Sequence, residues 1–286
     1  MSTFWWVVII TAVAGVVGTG FGGVLGAVLQ RDSTKIVSLL LAFAGGVMLA
    51  VVCFDLIPEA FLPEGASSET PLPIVIAGVV FGFIVIYLLN HMIDKHTNPE
   101  VEHIDSNHPR TADDLNELIH SDHYSKHAHD PNRRNSELFV AGIVMAFAIA
   151  LHNMPEGMVI GASYVGDAGD ITGGAGFIIA IVIGLHNIPE GMSVSVPLIT
   201  GGMSKWKAVL VTALSGAPTI LGAMLGYSLG LLSPVWLALS LSFAGGAMLY
   251  VVFSELLPEA FLMWKSKAPG AMTLVGTLVG VILVHV

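Results

Sequence analysis

The sequence predicts an all-α integral membrane protein with eight transmembrane helices. Helices one to three and six to eight form an inverted repeat around a central hairpin of helices four and five. Three observations carry this prediction: the composition, the placement of the basic residues, and a repeated segment. Of the 286 residues, 54% are hydrophobic and only 11% are charged, with a mean hydropathy of +0.80. A soluble domain has about a quarter of its residues charged.

At about 20 apolar residues per crossing, the expected spans are 4–29, 36–61, 72–93, 138–164, 173–199, 206–230, 235–263 and 269–286. The first run, Phe4 to Leu29, has no basic segment before it. It exceeds the roughly 7–15 residues of a signal-peptide core, so it is expected to be a true span. Most spans are rich in Gly, Ala and Ser, which lets helices approach closely in lipid.

The basic residues test this count. Arg31 and Lys35 lie in one loop; Lys95, Arg110, Lys126, Arg133 and Arg134 lie in the next but one. Lys205 and Lys207, then Lys265 and Lys267, occupy the remaining alternate loops, and these are all eleven Lys and Arg of the chain. By the positive-inside rule those loops are cytoplasmic. Both termini are then extracytoplasmic, in a multi-pass protein of the cell membrane.

Residues 43–61 read FAGGVMLAVVCFDLIPEAF and residues 243–261 read FAGGAMLYVVFSELLPEAF. The two copies fall on the second and seventh spans, which the count above runs in opposite directions. Such inverted repeats mark transporters, whose substrate site lies near the midplane at the repeat interface.

The chain divides into spans one to three (1–93), a cytoplasmic loop (94–137) and spans four to eight (138–286), which together make one membrane domain. The stretch 91–137 holds eight of the eleven histidines and ten acids, a composition that favours disorder. It supplies much of the net charge of −10. His-rich tracts bind metals weakly, and His120, His123, His127 and His129 are the candidate ligands for a chaperoning or sensing role. The single cysteine, Cys53, excludes a disulfide framework and a Cys-based zinc site. The expected surroundings are the lipid bilayer and divalent metal ions, with no nucleic acid.

The most unusual residues come in two matched sets. HNMPEGM occupies 152–158 and HNIPEGM occupies 186–192, each inside an apolar span. In each set the His and Glu are four apart and share a helix face, with the Asn close to it. Pro155 and Pro189 each remove a backbone donor and push off the carbonyl of Leu151 or Leu185, which predicts a kink at each motif. Facing one another, the motifs gather two imidazoles, two carboxylates and two amide oxygens: His152, Glu156, His186, Glu190, Asn153 and Asn187. Ionised carboxylates in such a setting must be protonated, salt-bridged or bound to a cation. Apart from Lys207 at the very edge of span 206–230, no Lys or Arg lies within a span, which leaves protons or a metal ion. Imidazole beside carboxylate is a transition-metal ligand set rather than one for Na⁺ or Ca²⁺.

Further acids mark the ends of a path. Asp55 and Glu59 sit at the outer end of helix two and are the candidate entrance. By the inverted repeat, Glu255 and Glu259 sit at the inner end of helix seven and are the candidate exit.

The tandem HNxPEG motifs, the eight spans and the His-rich loop between spans three and four resemble the ZIP (Zrt/Irt-like) family of metal transporters, in its prokaryotic form. The resemblance covers essentially the whole chain. It implies uptake of a divalent transition metal, Zn²⁺ before Cd²⁺, Fe²⁺ or Mn²⁺, by alternating access, with the metal as transported substrate and no cofactor. It implies a primary site of His152, Glu156, His186 and Glu190, and adds Met48 as a thioether ligand. It also implies a bundle of helices one, four, five and six moving against the others, and a homodimer. The chain departs from many relatives in having Asn187 and Thr219 at positions that carry acids in two-metal members. Two carboxylates offset one divalent ion, so one tightly held metal is expected, with a second site around Asn153 and Asn187 weak or absent.

Two other classes compete. An exporter would use the same ligand set in the opposite direction. An intramembrane metalloprotease would need a general base beside an open metal position, often in H-E-x-x-H order, and that order is missing here. An enzyme is therefore not expected.

Overall fold

The computed structural model of the chain describes residues 2–29, 34–63, 66, 68–97, 131–166 and 170–285. Every regular element among these residues is helical. The helices are α1 (Thr3–Val28), α2 (Lys35–Phe61), α3 (Leu72–Thr97), α4 (Pro131–Gly166), α5 (Ala175–Thr200), α6 (Lys205–Gly230), α7 (Pro234–Met263) and α8 (Ala268–Val284). Six of the described helices, all but α4 and the shorter α8, are long and apolar enough to cross a membrane. His120, His123, His127 and His129 lie outside the described residues.

Burial sorts these helices by position. In α7, 72% of the apolar window is buried, and in α2 and α5 67%, against 22% in α3. The first three therefore form the centre, while α3 turns Ile76, Val80, Phe81 and Ile84 outward. An outer surface this apolar suits hydrocarbon rather than water.

Prolines reshape α2 and α7 at matching places. Pro58 and Pro258 have no N–H and crowd the carbonyl four residues earlier. Just before each, the helix widens into one π-helical turn, Val52–Leu56 in α2 and Val252–Leu256 in α7. Ile57 and Leu257 donate their N–H to Val52 and Val252, five residues back. Single π turns of this kind recur at functional positions, and here they carry Asp55 and Glu255.

A third π turn, Val13–Val17, interrupts α1. The helix α6 is interrupted at Gly216–Ala217, immediately before Pro218. By contrast α4 and α5 run as continuous helices through Pro155 and Pro189. The breaks in regular α-helix beside the HNxPEG motifs thus fall in the neighbouring helices α1 and α6.

Close backbone contacts join the helices in pairs. A Cβ at Gly157 of α4 would strike the Thr219 carbonyl of α6, and one at Gly191 of α5 would strike the Thr19 carbonyl of α1. Likewise Gly46 of α2 lies against the Thr273 carbonyl of α8, and Gly246 of α7 against the Val79 carbonyl of α3. Glycine permits these approaches because it has no side chain to interpose. Thr19 and Thr219, Gly46 and Gly246, and the π turns of α2 and α7 all share the offset of the two FAGG segments.

Candidate metal centre

The antiparallel pair α4 and α5 brings its two HNxPEG motifs together in a reciprocal arrangement. His186 Nε2 lies 2.8 Å from Glu156 Oε1 on the other helix. His152 Nε2 lies 3.4 Å from Glu190 Oε2, again across the helix pair. Within α5, His186 Nε2 is also 3.3 Å from Glu190 Oε1, the four-residue spacing stacking both on one face. Glu156, His186 and Glu190 each offer a ligand atom within 4.8 Å of the others. The expected four residues do converge.

Their surroundings are dry. Glu156 and Glu190 are fully buried, and His152 and His186 nearly so. Several of their polar atoms have no hydrogen-bond partner: Glu156 Oε2, both oxygens of Glu190, and both ring nitrogens of His152. Buried polar atoms are nearly always satisfied, and lone buried carboxylates are costly. The described ion pairs of this cluster involve only His, Glu and each other. A divalent cation fits such a set: it supplies the positive charge the carboxylates lack and takes up the free oxygen and nitrogen lone pairs.

One acid from outside α4 and α5 joins the cluster. His152 Nδ1 lies 3.3 Å from Glu255 Oε2 on the π turn of α7, and that side chain is 19% exposed. Glu255 thus bridges the buried centre and a more open region. The sequence placed it on the path but did not signal this contact, which depends on how α7 packs against α4. Its counterpart Asp55, one methylene shorter, makes no such approach to His186. Instead Asp55 lines a cavity of about 40 Å³ with Val51, Ile178, Ile179, Val182, Leu283 and Val284. Its Oδ2 is buried and unpartnered.

The other candidates are distributed as follows. Glu59 and Glu259 lie one turn beyond Asp55 and Glu255, in the short helical ends Ile57–Phe61 and Leu257–Met263. Met48 is buried in the apolar core, 2% exposed. Asn153 and Asn187 are fully buried and bond backbone carbonyls of α6 and α1 through their amide nitrogens. Thr219, also fully buried, donates its hydroxyl to the Gly216 carbonyl at 2.7 Å within its own helix.

Comparison with known proteins places the chain in a family. The sequence model of the ZIP zinc transporter family matches residues 2–286. Zinc transporter ZupT of Chlorobium luteolum is 33% identical over 265 residues, covering 91% of this chain and 90% of its own. Zinc transporter ZupT of Akkermansia muciniphila is 33% identical over 258 residues, covering 89% and 87%. That of Streptococcus mutans is 29% identical over 256 residues, covering 88% and 86%. With matches that span nearly its whole length, the chain belongs to the ZIP zinc transporter family.

Proposed function

We propose that the chain takes up a divalent transition metal, Zn²⁺ foremost, into the cytoplasm through the His152, Glu156, His186 and Glu190 centre. The observation that carries this reading is the reciprocal pairing of His186 with Glu156 and His152 with Glu190 across α4 and α5. Two half-sites that meet between antiparallel helices suit a path open in turn to either side. The family is one of transporters rather than enzymes, so the metal is cargo and not a cofactor.

The proposed architecture is eight spans, with α1–α3 and α6–α8 as inverted halves and both termini outside. The matched π turns and the matched glycine contacts at Gly46 and Gly246 support it. Asp55 and Glu59 then lie toward the outside and Glu255 and Glu259 toward the cytoplasm. A negative-inside potential favours inward cation movement by about 2.3 kcal/mol per charge per 100 mV. The site holds one metal tightly, because two carboxylates neutralise one divalent ion and Thr219 spends its hydroxyl within α6.

The test is zinc flux into proteoliposomes containing a trapped zinc dye, for wild type, Glu156→Gln and His186→Ala. Influx in wild type that fails in both variants supports the reading. Equal influx in all three removes it, and outward flux alone would make the protein an exporter.

A further inference from the structure

Asp55 and His285 stand near one another on α2 and at the end of α8, helices that carry none of the four central residues. Asp55 Oδ2 is buried without a hydrogen-bond partner. The carboxylate lines a cavity of about 40 Å³ between α2, α5 and α8, whose other walls include Val51, Ile178, Val182, Leu283 and Val284. A single water needs roughly 10–15 Å³, so the space admits a cation and water. The apolar walls offer no counter-charge. The charge that reaches Asp55 is that of His285, the residue that caps α8 beside Leu283 and Val284.

The histidine is prepared to act as a ligand. Its Nδ1 lies 2.8 Å from the Val281 carbonyl. A carbonyl oxygen only accepts, so Nδ1 carries the proton and Nε2 of the neutral ring keeps its lone pair. Metal-binding histidines are commonly held in this way, with the second ring nitrogen donating to a carbonyl. His285 is also exposed, so an ion can reach it from solvent.

The matched halves of the chain supply an independent observation. Gly276 of α8 lies against the Phe43 carbonyl of α2, and Gly82 of α3 against the Phe243 carbonyl of α7. These contacts pair α8 with α3 as the FAGG segments pair α2 with α7. Nine residues after Gly276 stands His285, and nine after Gly82 stands His91. Each half thus places a histidine at the same point of its third helix and an acid on the π turn of its neighbour, Asp55 or Glu255.

We propose that Asp55 and His285 form a separate metal site, which captures the divalent ion before it reaches the central His/Glu cluster. Carboxylate and imidazole suit a transition metal, and only two protein ligands hold it loosely enough to pass on. Val182 lines the same cavity and precedes His186 by four residues, so the two sites are one turn of α5 apart. The direction of transfer rests on the uptake reading above; the existence of the site does not.

Two measurements on the full chain test this. In proteoliposomes, H285A and D55N are expected to raise the zinc KM about tenfold, the order of loss when a metal site is weakened, with little change in maximal rate. H91A is expected to leave the KM as it is. The second measurement needs no transport. C53S/D55C removes the one native thiol and sets a new one in the cavity, where thiolate and imidazole can bind Zn²⁺ together. Labelling of that thiol by a small thiosulfonate is timed with and without Zn²⁺. Zinc is expected to slow it at least about tenfold, a metal-held thiolate being no free nucleophile. Adding H285A should abolish the protection, and adding E190Q should leave it.

Protection that survives H285A would overturn the proposal, and so would protection that vanishes with E190Q. A thiol that the reagent cannot reach would overturn it as well, because a capture site must be open to solvent. An H285A maximal rate that falls at constant KM would make the contact merely structural. If wild type proves not to transport, the labelling still decides whether the site exists. If wild type transports and His285 matters to neither readout, the outer site fails while the central reading stands.

Discussion

Glu190 stands between the two histidines: one of its oxygens lies 3.3 Å from His186 Nε2 and the other 3.4 Å from His152 Nε2. Neither oxygen meets hydrogen-bond geometry with any partner. Glu156, by contrast, spends one oxygen on His186 at 2.8 Å and leaves one free. The two glutamates are equivalent in the motifs but not in the cluster. The two oxygens of Glu190 each lie near a different histidine, the placement of a group that both half-sites share.

Glu190→Gln is therefore expected to weaken zinc binding more than Glu156→Gln. Each change removes one of two charges opposing a divalent cation in a dry site, a loss of roughly 3 kcal/mol or about a hundredfold in affinity. Calorimetric zinc titration of purified protein checks the order. Equal losses would mean that the oxygens of both glutamates serve the metal alike.

Acidification should inhibit uptake by competition. Imidazole and carboxylate ligands bind metal only when deprotonated, so zinc binding releases protons and is favoured as pH rises. Influx at subsaturating zinc is expected to fall between neutral pH and about pH 5.5, where histidines ordinarily protonate. Raising zinc at the lower pH should restore the maximal rate. A maximal rate that stays depressed would place the titrating step in the conformational cycle instead.

Much of this was legible in the sequence, for identifiable reasons. Helices in lipid must be long and apolar, so α1, α2 and α5 appear as uninterrupted runs. The His152–Glu156 and His186–Glu190 spacings state one helix face each, and their repetition states that the two faces meet. Pro155 and Pro189 do not interrupt the helices that carry them. Both motif helices continue through their prolines, while the departures fall at Val13–Val17 and Gly216–Ala217 on the helices packed beside them. Pro218 was a visible signal for the second, but that Asn153 bonds the Ser215 carbonyl there depends on tertiary packing. The same is true of Glu255, whose reach to His152 requires knowing how α7 crosses α4.

Glu255→Gln should separate release from binding. Glu255 touches His152 from the more exposed side, 3.3 Å away, at the edge of the buried His/Glu cluster. Losing its charge costs about 1 kcal/mol of interaction with a cation leaving past His152, or roughly fivefold in rate. The maximal uptake rate is expected to fall by that factor with the zinc KM little changed. A rise in KM alone would place Glu255 among the binding ligands.

The last prediction distinguishes two adjacent glycines of the repeated FAGG segment. A methyl at Gly246 would strike the Val79 carbonyl of α3, a backbone atom that cannot rotate aside. A methyl at Gly245 would meet only side-chain atoms, those of Val52 at 3.5 Å, Ile57 at 3.9 Å and Leu56 at 4.0 Å, all ordinary van der Waals contacts. Gly246→Ala must therefore push α7 from α3, an overpacking cost of about 1–3 kcal/mol. Gly245→Ala is expected to be neutral or slightly stabilising, since alanine is favoured over glycine inside a helix by roughly 1 kcal/mol. Thermal melts of the two purified variants check this directly. The corresponding pair in α2 gives a further check: Gly46→Ala strikes the Thr273 carbonyl and should be severe. Gly45→Ala meets the Leu257 side chain at 3.2 Å, which must give by a few tenths of an ångström, so its cost should fall between the other two. That graded order follows from whether backbone or side chain lies in the way, and helix-forming tendency alone would instead make all of these changes favourable.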